Sequence, residues 1–200
     1  MPVIARDFYN RPALDVARDL LGCRLVRLQS TGGARLVGII LETEAYQGES
    51  DLGCHASAGK TPRTSVMYGP PGHAYVYFTY GMHWLLNTVT DREGTPSAVL
   101  IRAILPVEGV DWMAENRPHH AFQRGWTDGP AKLTQALGIN GDFNRVDLCD
   151  TAGGLWIEAG EPIHAGVVEQ TARIGLKSVP EPWKSIPWRF VLQEGGIHGS

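Results

Sequence analysis

Two hundred residues, 43% of them hydrophobic and 20% charged, are enough for one domain with a real core and too few for two, and this balance excludes both a disordered chain and a membrane protein. No apolar run approaches the roughly 20 residues of a membrane helix. The net charge of −3 argues against a polyanion-binding surface spread over the whole molecule and leaves room for a local basic face.

The first residues, Met1 to Asp7, have neither the basic start nor the long apolar core of a signal peptide, so a cytoplasmic protein is expected. Asn10 is expected to cap a helix with Pro12 in its first turn, and Leu14, Ala17 and Leu21 recur at helical spacing until Gly22 stops it. Cys23 to Leu28 alternates as a strand, Thr31-Gly32-Gly33 turns, and Leu36 to Glu44 returns as an antiparallel partner. Residues 47–63 show no period and much glycine, serine and charge, the composition of a long functional loop. Pro70-Pro71-Gly72 turns into a strand rich in tyrosine, Tyr75 to Tyr80, and Gly81 separates it from a partner over Trp84 to Val89. The turn Asp91-Arg92-Glu93-Gly94 leads to an apolar strand over Ala98 to Leu105, interrupted by Arg102.

In the second half, Val110 to Asn116 is short and amphipathic. Thr127 or Asp128 is expected to cap a helix with Pro130 in its first turn and Leu133, Ala136 and Leu137 on its core face. Leu155 to Glu158 and Arg189 to Leu192 read as further strands; glycine and proline obscure the boundaries across 153–187. No repeat or linker divides the chain.

Chemistry is concentrated in two strand ends. A strand sends alternate side chains to one face, so Glu42, Glu44 and Tyr46 are expected to share a side, as are Tyr75, Tyr77 and Thr79. A carboxylate after so apolar a run calls for a cleft, and Arg102 needs a carboxylate partner, for which Glu44 is a candidate. Two solvated glutamates and a well-packed tyrosine strand are the bland alternatives. Other chemistries lack their signatures. Cys23, Cys54 and Cys149 have no zinc or disulfide spacing, and His55, His73, His83, His119, His120, His164 and His198 form no ligand motif. No phosphate-binding glycine motif or GxSxG elbow occurs. What remains is a carboxylate among aromatic rings, able to activate water or to stabilise the cation formed when a glycosidic bond breaks, beside faces on which a nucleobase can stack.

Glu42-Thr43-Glu44-Ala45-Tyr46, His55, Thr61-Pro62-Arg63, Met67, Tyr75-Val76-Tyr77, Tyr80-Gly81-Met82, Asn87 and Leu100-Ile101-Arg102-Ala103 stand in an order that resembles the alkyladenine (3-methyladenine, N-methylpurine) DNA glycosylase family. Gly129-Pro130-Ala131-Lys132-Leu133, Arg173-Ile174-Gly175 and Trp188-Arg189-Phe190 extend the likeness over nearly the whole chain. The resemblance implies a single α+β (mixed α/β) domain over 1–200, with a curved antiparallel sheet flanked by helices, acting as a monomer on double-stranded DNA that contains damaged purines. It implies no metal and no cofactor, and a nucleoid location in a bacterium. On that likeness Glu44 deprotonates the attacking water and Arg102 helps to hold it. Tyr46 lies on one face of the extruded base and His55 with Tyr77 on the other, Asn87 stands at the pocket floor, and Tyr80 is the wedge that fills the duplex. Lys60, Arg63, Arg92, Lys132, Arg173, Lys177 and Lys184 are the candidates for backbone phosphates. A non-catalytic nucleic-acid binding domain, with the tyrosines as stacking platforms, is the alternative. A glycoside hydrolase using Glu42 and Glu44 is disfavoured, because two same-face carboxylates about 7 Å apart along one strand do not flank a bond.

Overall fold

In the computed structural model, residues 1–29, 32–161, 163 and 165–193 are described; Thr31, His164 and His198 lie outside the described residues. The long strand β2 (Arg35–Gln47) is the axis of the molecule. Along one edge it pairs with β5 (Ser97–Glu108), and along the other its first half pairs with β1 (Arg24–Leu28) and its second half with β8 (Arg189–Leu192). Outward from β5 lie β4 (His83–Thr90) and β3 (Ala74–Thr79); beyond β1 lies β6 (Leu155–Glu158), and β7 (Val168–Thr171) pairs with β8. Every one of these pairings is antiparallel, and the sheet curls into a half-barrel, giving a single mixed α+β domain as expected.

The helices are short: α1 (Arg6–Tyr9), α2 (Ala13–Asp19), α3 (Val110–Glu115) and α4 (Pro130–Ala136). Ala13, Val16, Ala17 and Leu20 of the α2 segment pack on Leu36, Ile40, Val99 and Ile101 of the sheet to form the main core, joined by Leu133, Ala136 and Leu137. On β2, Thr43 and Ala45 face this core, and the Thr43 hydroxyl donates to the Ala17 carbonyl at 2.7 Å. Glu42, Glu44 and Tyr46 therefore point to the other face, where Cys54, Ala56, Val66, Met67, Tyr75, Val89 and Ala98 make a second cluster.

Four local expectations are corrected. Asn10 does not cap α2: it ends α1, a helix too short to show a period, and Pro12 takes the N-cap position of α2 with no side-chain bond. Neither Thr127 nor Asp128 caps α4. Gly129 precedes Pro130 there, and the Thr127 hydroxyl is committed to the Ile104 carbonyl at 2.7 Å. Strand β2 continues past Glu44 to Gln47, because β5 and the Trp188 carbonyl supply backbone partners. The aperiodic loop after it contains a 3-10 turn, His55–Ala58, and a second follows over Thr64–Tyr68.

Candidate active site

Two single-residue bulges place the charges. Between Ile40 and Thr43 the register with β5 slips, leaving Leu41 unpaired on β2 and Arg102 unpaired on β5. A bulge re-aims the side chain it carries, and the Arg102 guanidinium lies between the carboxylates: Nε donates to Glu42 Oε1 at 2.7 Å and Nη1 to Glu44 Oε2 at 3.3 Å. Arg189 Nε also donates to Glu42 Oε1, at 2.6 Å. Both arginines thus meet Glu42, and Arg102 serves Glu44 as well.

Glu44 is wholly enclosed, with 0% exposure. Its Oε2 also accepts from the Tyr46 hydroxyl at 2.8 Å, and its Oε1 accepts from the Ile174 backbone N–H at 2.6 Å. A carboxylate offers about four lone-pair sites, so three donors leave one on Oε1 for a further hydrogen. Burial raises the pKa of Glu44 above the usual carboxylate value, against the opposing pull of Arg102, Ile174 and Tyr46. For Glu42 burial acts the same way, but hydrogen bonds from Arg189 and Arg102 overcome it and hold the group below its ordinary value.

In front of Glu44 is a cavity of about 330 Å³. Tyr46, His55, Tyr77, Asn87, Tyr80 and Arg102 all line it, with Tyr75 and Thr79 from the same side of β3. Ile174, Gly175 and Leu176 close it from the C-terminal segment. Glu44 does not line the cavity itself; Tyr46 and Arg102, which both donate to its Oε2, do. The His55 ring meets Tyr77 edge-on with centroids 4.6 Å apart, and its Nδ1 is 3.1 Å from the Tyr75 hydroxyl. Burial, with a smaller push from Arg63, lowers the His55 pKa to about 4, so this imidazole is uncharged at neutral pH. Asn87 is buried and its amide donates to the Tyr75 carbonyl at 3.1 Å.

Tyr80 is 83% exposed at the tip of the β3–β4 hairpin. The Met82 N–H donates to the Thr79 carbonyl, and the two central residues, Tyr80 and Gly81, both have positive φ, 52° and 69°. That is the φ signature of a type I′ turn, which favours Asn or Gly at its first central position; a tyrosine there is held outward against its preference.

The basic candidates separate. Lys60 and Arg63 are exposed and lie over the rings of Tyr68 and Tyr77, at 5.3 and 4.9 Å. Lys132, Lys177 and Lys184 are exposed, whereas Arg92 follows the end of β4 opposite the Tyr80 tip. Arg173 is not available to a phosphate. It is 4% exposed, bidentate to Asp51 at 2.5 and 2.8 Å, and donates to the Ala45 carbonyl at 3.0 Å. Its guanidinium backs Tyr46 at 4.7 Å from the ring centroid, and a Cβ on Gly53 would lie 2.8 Å from Arg173 Nη2. The charge of Arg173 thus braces the cavity wall. The Ile174 amide was outside sequence reasoning, because a backbone donor leaves no mark in residue type.

An enclosed carboxylate beside an aromatic cavity, with an exposed tyrosine at the rim and Cys54 in the lining as a thiol that burial pushes up to about 12, is an arrangement that can receive a flat ring and activate water against it. Residues 7–195 match the methylpurine-DNA glycosylase family. The chain is 48% identical over 190 residues to a protein of Methanocella arvoryzae, covering 95% of this chain and 92% of the relative. It is 48% identical over 193 residues to one of Carboxydothermus hydrogenoformans (96% and 95%) and 45% identical over 191 residues to one of Myxococcus xanthus (96% and 90%). All three carry the name "Putative 3-methyladenine DNA glycosylase". The chain belongs to the methylpurine-DNA glycosylase family, and with it to the DNA-repair hydrolases that open N-glycosyl bonds. Among the described residues no helix is long and apolar enough to cross a membrane.

Proposed function

We propose that this chain is a monofunctional glycosylase that extrudes alkylated or deaminated purines (3-methyladenine, 7-methylguanine, hypoxanthine, ethenoadenine) from duplex DNA and hydrolyses their N-glycosidic bonds. It acts as a monomer on DNA in the cytoplasm. The observation that carries this reading is Glu44, enclosed beside the cavity with one lone pair on Oε1 unfilled and held in place by Arg102, Tyr46 and Ile174.

A base inside the stack hides its sugar carbon, so extrusion, at a few kcal/mol, comes first and is easiest for lesions that pair badly. Tyr80 enters the duplex and occupies the vacated space. The base stacks between Tyr46 and the pair His55 and Tyr77, in a cavity whose volume suits one bicyclic ring system better than a sugar chain. Cationic purines gain about 0.5–2 kcal/mol from the tyrosine faces, and a neutral His55 does not repel them. A water bonded to the free lone pair of Glu44 Oε1 gives up its proton to that oxygen as it attacks the anomeric carbon, and the glycosidic electrons leave with the purine. Alkylated purines leave readily because they are cationic; neutral lesions need a proton as well.

The test is Glu44→Gln, assayed in single turnover on a duplex with one hypoxanthine. Lesion binding should persist while excision falls by about 10²–10⁴. Near wild-type excision would return Glu44 to a structural role and favour a binding domain or another base.

A further inference from the structure

A second cavity, about 350 Å³, lies beside the first and is lined by Arg117, His83, His119, His120, Lys132 and Gln135. No Asp or Glu lines it. Arg117 is 7% exposed, its Nε is enclosed without a partner, and among the described residues its side chain has no hydrogen bond and no ion pair. The guanidinium keeps its charge, and among the described residues Nη1 and Nη2, which are not enclosed, have no partner and remain donors open to the pocket. Lys132 Nζ uses one donor on the Gly125 carbonyl at 2.9 Å, leaving two.

The walls are tied down before any ligand arrives. Asn116 Nδ2 donates to the Ala136 carbonyl at 2.8 Å, fixing the Arg117 turn to α4, and the Thr134 hydroxyl donates to the Trp84 carbonyl at 2.7 Å, fixing α4 to β4 beside His83. The first turn of α4 separates the two cavities: Pro130 lines the first, Ala131 and Lys132 the second. His83 pairs with Thr79 at the base of the turn that carries Tyr80.

We infer that this pocket holds one phosphodiester of the DNA backbone, next to the point at which Tyr80 enters the duplex. The inference rests on the proposed function, since it needs a duplex at the Tyr80 tip. A planar fork with flanking ammonium and imidazole donors suits a phosphate oxygen pair, and phosphate contacts set the register of a protein on DNA. The pocket then fixes the strand against which the tyrosine pushes.

The experiment measures the affinity of wild-type protein and Arg117→Gln for a hypoxanthine duplex by fluorescence anisotropy over a range of salt, then repeats it on duplexes with single methylphosphonates. The variant should bind about tenfold more weakly at moderate salt, and its log K against log salt should be shallower by about 0.9. One methylphosphonate near the lesion should weaken the wild type and leave the variant indifferent. Equal slopes, with every methylphosphonate costing both proteins the same, would overturn the inference. If circular dichroism shows Arg117→Gln unfolded, Lys132→Gln, an exposed change, carries the same comparison. A thermal shift with inorganic phosphate, present in wild type and lost in the variant without any methylphosphonate coupling, would assign the pocket to free phosphate and also overturn it. Base release by wild type is scored on the same duplex: its absence counts against the proposed hydrolysis, whereas the methylphosphonate coupling is a binding readout judged apart.

Discussion

Glu42 and Glu44 sit two residues apart on the same face of one strand, and their surroundings drive their pKa values in opposite directions. Two arginines hold Glu42 ionised, while Glu44, enclosed and facing one weaker arginine contact, is pushed up. A general base must be ionised, so excision in single turnover should fall as pH drops through the folded pKa of Glu44, with a midpoint above the ordinary glutamate value of about 4.3. His55, lowered to about 4, is uncharged at neutral pH. The same raised pKa has the opposite effect on stability: the contribution of protonated Glu44 is present below the unfolded value and lost as pH rises through the folded one. A midpoint at or below 4.3 would contradict the assignment. Asn87 is the second residue-scale case. Its amide nitrogen donates to the Tyr75 carbonyl, which holds the side chain in place, and on the proposed function it would refuse the guanine N2 amine by clash or as an unpaired donor. Asn87→Ser should raise guanine excision relative to hypoxanthine by about tenfold, an effect of the size of one polar contact. Parallel loss of both rates would make Asn87 merely structural.

The element that carries the proposed wedge is the β3–β4 hairpin. Its tip carries Tyr80 in a left-handed conformation, and backbone strain of about 1 kcal/mol or more at an exposed aromatic points to use outside the fold. Tyr80→Gly should therefore keep or raise the melting temperature, since glycine meets the type I′ geometry without penalty, while base extrusion weakens. Fluorescence of a base analogue at the lesion reads the second effect and thermal unfolding the first. Undiminished extrusion would remove the wedge role; a lower melting temperature would show that the ring supports the hairpin. The strand partners of this hairpin were legible from tyrosine parity and from Gly81, because period and turn residues are local signals. The two bulges on β2 and β5 were not, since a bulge depends on how two distant strands meet.

At the scale of the whole molecule, a net charge of −3 has to coexist with a polyanionic substrate. Lys60 and Arg63 lie on rings near the first cavity, Lys177 follows Leu176 on its wall, and Lys132 lines the second. Contacts from three or four such groups would give a log–log salt slope of about −3 to −4. Affinity for lesion duplex that ignored salt would contradict a phosphate face. Arg173 marks the limit of counting charges: its sequence position suggested a phosphate contact, but Asp51, some 120 residues earlier in the chain, takes both sides of its guanidinium.

The sequence alone determined the paired strands, the shared face of Glu42, Glu44 and Tyr46, the tyrosine parity and the family likeness, because each is written in local spacing. Only the tertiary structure decided which charges meet. The Arg102 bulge, the Ile174 amide on Glu44, the withdrawal of Arg173 and an Arg117 without a partner among the described residues all depend on segments brought together across tens of residues, where burial and the loss of water set what each group can do.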